Sequence, residues 1–239
     1  MAFLPRHGRR HRILPSEINY RANVWGFRKL GCRYLLSASA CGSMKETYRP
    51  TDAVLPDQFL DLTRGRASTF FGDGCAAHVS LAHPVSGILL DALEGAGRDE
   101  GAVLHRGGVY LCMEGPQFST KAESLLYRSW GVDVLGMTNA TEAKLCREAE
   151  IAYASMALVT DYDCWHEEEG AVTVETILDV LRKNAGTANR VLASAVRRLD
   201  PTRPAPEHEA LKFAVLTRRE EVPEAARERL ELLLERYWR

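Results

Sequence analysis

From Val109 to Val159 the chain alternates short apolar runs with amphipathic stretches: a strand over Val109–Met113, a helix over Thr120–Trp130, a strand over Val132–Met137, a helix over Thr141–Ala149 and a strand over Ile151–Val159. A hydrophobic period near two that switches to one near 3.6 and back is satisfied when helices cover the faces of a parallel or mixed sheet. The expected fold class is therefore α/β, a single domain with a central mixed β-sheet flanked by helices. Chemistry in such a fold belongs at the ends of its strands.

The flanks extend the pattern. Ser16 is placed to cap a helix carrying Ile18, Ala22, Trp25 and Leu30 and closed by Gly31, while Arg33–Ser37 and Asp52–Phe59 read as strands. Thr120 and Glu123 have the spacing of a capping box, so Gly115–Ser119 leads straight into a helix N-terminus. Thr173 is placed to cap a long helix with Leu181, Ala185, Ala188, Leu192, Ala195 and Leu199 as its apolar stripe. The proline-rich Pro201–Pro206 breaks that helix, and Pro223 opens a last one carrying Leu230, Leu233, Leu234 and Tyr237. Arg64–Pro84 has no period and is long for a passive connection, so a lid or a subunit contact is expected of it. No internal repeat is present.

The 239 residues suit one large domain. With 31 Lys+Arg against 32 Asp+Glu the formal charge is -1, which offers no global field for a phosphate backbone and disfavours nucleic acid as a partner. No apolar run approaches the roughly 20 residues that cross a bilayer, and Met1–His7 lacks a signal-peptide core. No membrane partner and a cytoplasmic location are expected. The six cysteines, with no Cys-x-x-Cys pair, suggest neither a zinc site nor a disulfide scaffold, and buried free thiols are the expectation.

Three clusters carry the chemistry. Thr160-Asp161-Tyr162-Asp163-Cys164-Trp165 follows an apolar strand. Two carboxyls there can accept hydrogen bonds from an exocyclic amine, and one kept protonated can donate to a ring nitrogen. Acidic residues at loop starts also serve as helix caps or solvated groups. Arg6-His7-Gly8-Arg9-Arg10-His11 concentrates cations suited to phosphate, and reads equally as a disordered basic arm or a nucleic-acid contact. Ser37–Ser43 offers small residues that let a ligand approach the backbone, and a simple turn competes with that reading.

Together these segments closely resemble the methylthioadenosine phosphorylases, within the trimeric purine nucleoside phosphorylase superfamily. The resemblance rests on Arg6-His7-Gly8 with His11, Glu17–Asn23, Ser39-Ala40-Cys41-Gly42-Ser43 and Asp57-Gln58-Phe59. It continues through Glu114-Gly115-Pro116-Gln117-Phe118-Ser119, Ala122-Glu123-Ser124, Trp130-Gly131 and Met137-Thr138 to Thr160–Trp165, and so covers essentially the whole chain. It implies a phosphorylase/hydrolase-like fold and a pentosyltransferase that cleaves 5'-methylthioadenosine with phosphate, giving adenine and 5-methylthioribose 1-phosphate in methionine and purine salvage. No cofactor and no metal are implied, phosphate being a co-substrate, and the assembly implied is a homotrimer or hexamer.

By the same resemblance Arg6, His7, Ser39, Ala40 and Thr138 hold phosphate, and Met137 contacts the sugar. Asp161, Tyr162 and Asp163 line the adenine end, with Asp161 the first choice as proton donor to the purine and Asp163 helping to hold the amino group. Phe118 offers apolar surface to the substrate, and Ser119 and Val174 match positions tied to base and substrate preference. His78 matches a position that reaches a neighbouring subunit's site.

Members of that family usually begin with a strand and a glycine-rich phosphate loop ahead of Arg-His-Gly, so the domain expected over 1–239 is N-terminally incomplete relative to them. Arg10 stands where glycine is common and Thr141 where proline is. Two other readings stay open. One is a purine nucleoside phosphorylase of other base preference, against which the two aspartates speak, since asparagine suits a 6-oxopurine. The other is a catalytically weak structural subunit that lacks the phosphate loop.

Overall fold

The computed structural model describes residues 1–166 and 174–238, the side chains of 174–177, 179 and 181 excepted. In chain order the elements are α1 (Tyr20–Lys29), β1 (Tyr34–Ser43), β2 (Ala53–Leu55), β3 (Gln58–Asp61), α2 (Gly87–Asp99), β4 (Leu104–Arg106), β5 (Val109–Cys112), α3 (Lys121–Ser129), β6 (Val134–Gly136), α4 (Asn139–Glu148), β7 (Ala152–Asp161), α5 (Val174–Arg198) and α6 (Glu224–Leu234). The strands form one seven-stranded sheet in the order β3-β5-β6-β1-β7-β2-β4. It is mixed: β1 runs parallel to β7 but antiparallel to β6, and β2 runs antiparallel to β7. The expected α/β domain with a flanked mixed sheet is the fold observed.

Strand β7 is buried on both faces from Ala152 through Thr160, which is why it reads as one continuous apolar run. Ala152, Ala154, Met156 and Leu158 pack with Leu89 and Leu93 of α2 and Ala188, Val191 and Ala195 of α5. Tyr153 points the other way, into a cluster with Val24 of α1, Leu145 of α4 and Leu230 of α6. Burial of Leu89 and Leu93, both fully inaccessible, contributes about 2–3 kcal/mol each.

Several local expectations change. Helix α1 is capped by Asn19, whose side chain accepts from the Ala22 N–H, and not by Ser16; Tyr20 folds back to Pro15 instead of continuing a turn from Ser16. Its far end does close at Gly31, whose φ of 75° lies where glycine is at no disadvantage. Asp52–Phe59 is two strands, because Pro56 ends one that joins β4 and the next joins β5. Ser39–Ser43 is no turn: β1 runs unbroken to Ser43. The helix expected from Thr141 begins at Asn139. Helix α2 and strand β4 were not expected from the sequence pattern. The described buried stripe of α5 is Asn184, Ala188, Val191 and Ala195, with Ala185 exposed, and Thr173 lies outside the described residues. Residues 64–84 form no helix or strand, as expected, and are tied down by isolated bridges at Gly72–Cys75 and Ala77–Val215.

Candidate active site

The sheet topology gathers the expected residues. Parallel pairing of β1 with β7 sets Gly42 opposite Asp161, at a register shift between Cys41 and Gly42. Because β6 is antiparallel to β1, with Leu135 opposite Gly42, its continuation into Met137 and Thr138 runs back along the middle of β1. Strand β5, parallel beside β6, delivers Met113–Ser119 to the same edge.

At the end of β7, Asp161 accepts the Asp163 N–H on Oδ1 (2.8 Å) and the Thr160 hydroxyl on Oδ2 (2.6 Å). A Cβ on residue 42 would stand 3.1 Å from Asp161 Oδ1, so Gly42 is what lets that carboxyl lie against β1. Asp163 opens a 3₁₀ turn over Asp163–Trp165 with a φ of 52°, rare for a non-glycine residue. Its side chain is buried, and its Oδ2 finds no hydrogen-bond partner among the described residues. Burial pushes its pKa above the usual carboxyl range, against the pull of the Ser124 hydroxyl, the Cys164 N–H and the Ser119 hydroxyl. A left-handed backbone and an unpaired buried oxygen thus meet at one residue, where a hydrogen-bonding ligand group would find a partner.

Ser39 and Thr138 both donate to Asn139 Oδ1, at 3.2 and 3.0 Å, and the Asn139 amide donates to Ser155. Thr138 is the N-cap of α4, and its hydroxyl makes no capping bond, while the first-turn N–H of Ala140 faces the buried Cys112 thiol. Arg6 reaches the same place from the N-terminal turn. Its Nε pairs with Glu142 Oε1 (2.6 Å), Nη1 donates to the Ala38 carbonyl (3.1 Å) and Nη2 to the Ser37 hydroxyl. Glu142 also accepts from Ser37 and Tyr153, each at 2.9 Å. Burial opposes the Arg6 charge, but the Glu142 carboxylate outweighs it and the guanidinium pKa rises. The segment is therefore a folded turn and not a disordered arm. His7 donates Nδ1–H to the Ile13 carbonyl at 2.8 Å and stacks on His11, and burial lowers its pKa.

Other expected residues are placed differently. Met137 packs over Gly115, where a Cβ would fall 2.5 Å from its sulfur. Ser119 accepts the Cys164 thiol on its carbonyl (3.4 Å), which links the β5–α3 segment to the aspartate turn. Phe118 is half exposed, and Ala40 is part-buried in β1. Tyr162, between the two aspartates, turns its ring onto His166 and Trp165 and its hydroxyl toward the Glu46 carbonyl (3.3 Å). His78 is exposed on the 64–84 segment, its N–H bonded to Ala214, and belongs to no cluster with the others. Val174 opens α5, and its side chain lies outside the described residues. Sequence reasoning missed Asn139, Glu142 and Arg66; only the acid three positions after the helix start hinted at Glu142. Among the described residues no three His, Cys, Asp or Glu side chains are arranged to hold a metal.

A mixed sheet whose central strands carry an arginine beside a helix start at one point and a carboxyl pair at another can hold an anion at the first and an aromatic amine at the second. Residues 1–197 match the family model described as the phosphorylase superfamily, and the chain belongs to that family. Within it, the chain is 54% identical over 242 residues to the S-methyl-5'-thioadenosine phosphorylase of Gloeobacter violaceus, covering 99% of this chain and 81% of that protein. Among solved structures it is similar to a methylthioadenosine phosphorylase from an antarctic soil metagenomic library, with a TM-score of 0.93 and 48% identity over 98% of this chain and 83% of that one. A single-substitution variant of adenosine/methylthioadenosine phosphorylase from Schistosoma mansoni, in complex with methylthioadenosine, matches with a TM-score of 0.80 and 36% identity over 87% and 79%.

Proposed function

We infer that this chain is a pentosyltransferase that cleaves 5'-methylthioadenosine with phosphate to adenine and 5-methylthioribose 1-phosphate. The observation that carries this is the 54% identity, over nearly the whole chain, to an S-methyl-5'-thioadenosine phosphorylase; the site supplies the chemistry. As the glycosidic bond lengthens, positive charge develops on the sugar and negative charge on the purine, so an anion beside one and a proton donor beside the other stabilise the transition state.

Phosphate is assigned to Arg6, His7, Ser39, Ala40 and Thr138. Met137 and Phe118 take the methylthioribosyl group and the base, with Ser119 bordering the aspartate turn. Asp161 and Asp163 serve the purine. The raised pKa and unpaired oxygen of Asp163 support giving it a full share in proton donation beside Asp161. Tyr162 lines the adenine end between them. The reaction asks for no cofactor or metal.

A homotrimer or hexamer is proposed, in which His78 serves a neighbour's site, while Val174 bears on base and substrate preference. Leu125, Leu126 and Trp130, all about half exposed around α3, support such burial. The six unpaired cysteines support a reducing, cytoplasmic compartment. Among the described residues no helix is long and apolar enough to cross a membrane.

Methylthioadenosine incubated with and without phosphate tests the function. Adenine release that requires phosphate is expected. Preference for inosine would replace the reading with another base specificity, and no turnover of either would reduce the chain to a structural subunit.

A further inference from the structure

Arg66 belongs to the irregular 64–84 segment, yet its side chain is only 2% exposed. Four hydrogen bonds hold it. Nε donates to Glu114 Oε1 (3.0 Å), Nη2 to the Glu114 carbonyl (2.6 Å), and Nη1 to both the Met137 carbonyl (2.6 Å) and the Tyr20 hydroxyl (3.1 Å). The neighbouring Arg64 N–H closes on the other Glu114 oxygen at 2.5 Å, and the Tyr20 hydroxyl passes the link on to the Pro15 carbonyl at 2.9 Å. One buried fork thus joins the segment leading to Phe118 and Ser119, the β6–α4 junction at Met137–Thr138, and the start of α1 beyond the Arg6 turn.

A salt bridge serving only to hold the fold needs one carboxylate. Arg66 spends half of these bonds on main-chain carbonyls, and both carbonyls sit at the roots of segments assigned to substrate. A planar guanidinium fixes the angle between two such carbonyls as well as their distance, which an ammonium cannot do. We propose that Arg66 is a positioning residue for the active site, setting the nucleoside-binding and phosphate-binding segments in register with each other. The inference rests on the phosphorylase reading above. It gives the irregular segment a role within its own subunit, separate from any reach of His78 into a neighbour.

Arg66→Lys keeps the charge and most of the bulk but cannot span both carbonyls. It is expected to raise KM about tenfold for methylthioadenosine and for phosphate together, since displacement of bound groups by a fraction of an ångström is costly to affinity and rate alike. Glu114→Gln loosens the same fork while leaving Arg66 in place, and should shift both KM values in the same direction by a smaller factor; it decides the matter alone if the lysine variant does not fold. A purely structural Arg66 predicts a lower melting temperature and fewer active molecules with both KM values unchanged, and that outcome would overturn the proposal. So would a change confined to one substrate. Wild-type enzyme is assayed first, so a chain with no phosphate-dependent adenine release defeats the functional reading and is told apart from a failure of the Arg66 proposal.

Discussion

Asp163 combines a left-handed backbone, burial and an unpaired carboxyl oxygen, and each of these costs stability that a simple turn would not sacrifice. A carboxyl with a raised folded-state pKa binds its proton more tightly folded than unfolded. Its stabilising contribution is present below the unfolded value and is lost as pH rises through the folded one. Asparagine cannot ionise and tolerates positive φ, so the melting temperature of Asp163→Asn relative to wild type should climb between pH 4 and pH 8, by about 2–4 °C for each kcal/mol relieved. A difference that stays flat or falls over that range would remove burial as the cause of the shift. Activity should move the opposite way. Asp161→Asn and Asp163→Asn are each expected to lower turnover on methylthioadenosine by on the order of 100-fold while leaving phosphate affinity within a few-fold, as loss of proton donation predicts. Full turnover in either variant would take that residue out of the proton path.

Helix α3 follows the segment proposed for the base end, and its N-terminus is fixed by a reciprocal cap: the Thr120 hydroxyl accepts the Glu123 N–H at 3.2 Å and the Glu123 carboxylate accepts the Thr120 N–H at 2.8 Å. Thr120→Ala should cost about 1 kcal/mol in urea unfolding and raise KM for the nucleoside more than for phosphate, because Phe118 and Ser119 hang from that cap. An equal rise in both would show that α3 does not act on the base end alone. This cap was legible in the sequence because it is local, two residues three positions apart answering one another. Helix α2 was not: its run contains Gly87, Gly95 and Gly97, and what stabilises it is the burial of Leu89, Leu90 and Leu93 against β7 and α5, which no local pattern declares. The α5 stripe holds at Ala188, Leu192, Ala195 and Leu199 and fails only at Ala185, where polar Asn184 is buried instead with its amide donating to the Val159 carbonyl at 3.4 Å. In the site, the aspartates and the Arg6 turn were recognisable as motifs. Arg66 and Asn139 were not, because the partners of Arg66 lie 46 to 71 residues away and those of Asn139, adjacent Thr138 apart, 16 and 100 residues away, and they become neighbours only when the sheet forms.

For the molecule as a whole, the 64–84 segment is anchored at one end by Arg66 and Glu148, whose carboxylate takes the Thr69 hydroxyl and the Phe70 N–H, while His78 stands exposed beyond them. If His78 completes a neighbour's site, inactive Asp161→Asn chains mixed with inactive His78→Ala chains should regenerate some intact sites, recovering a measurable fraction of wild-type activity once subunits have exchanged. No recovery despite demonstrated exchange would rule out the shared site. The Arg6–Glu142 pair bears on how the molecule meets its anion. A guanidinium already answered by a carboxylate at 2.6 Å projects little potential beyond the surface, and the chain's formal charge of -1 adds no attraction of its own. On the proposed assignment of phosphate to Arg6, the anion is expected to be captured on contact and not drawn in from a distance. Its kcat/KM should change by less than about twofold between 0.01 and 0.1 M salt, over which the Debye length contracts from about 30 to about 10 Å.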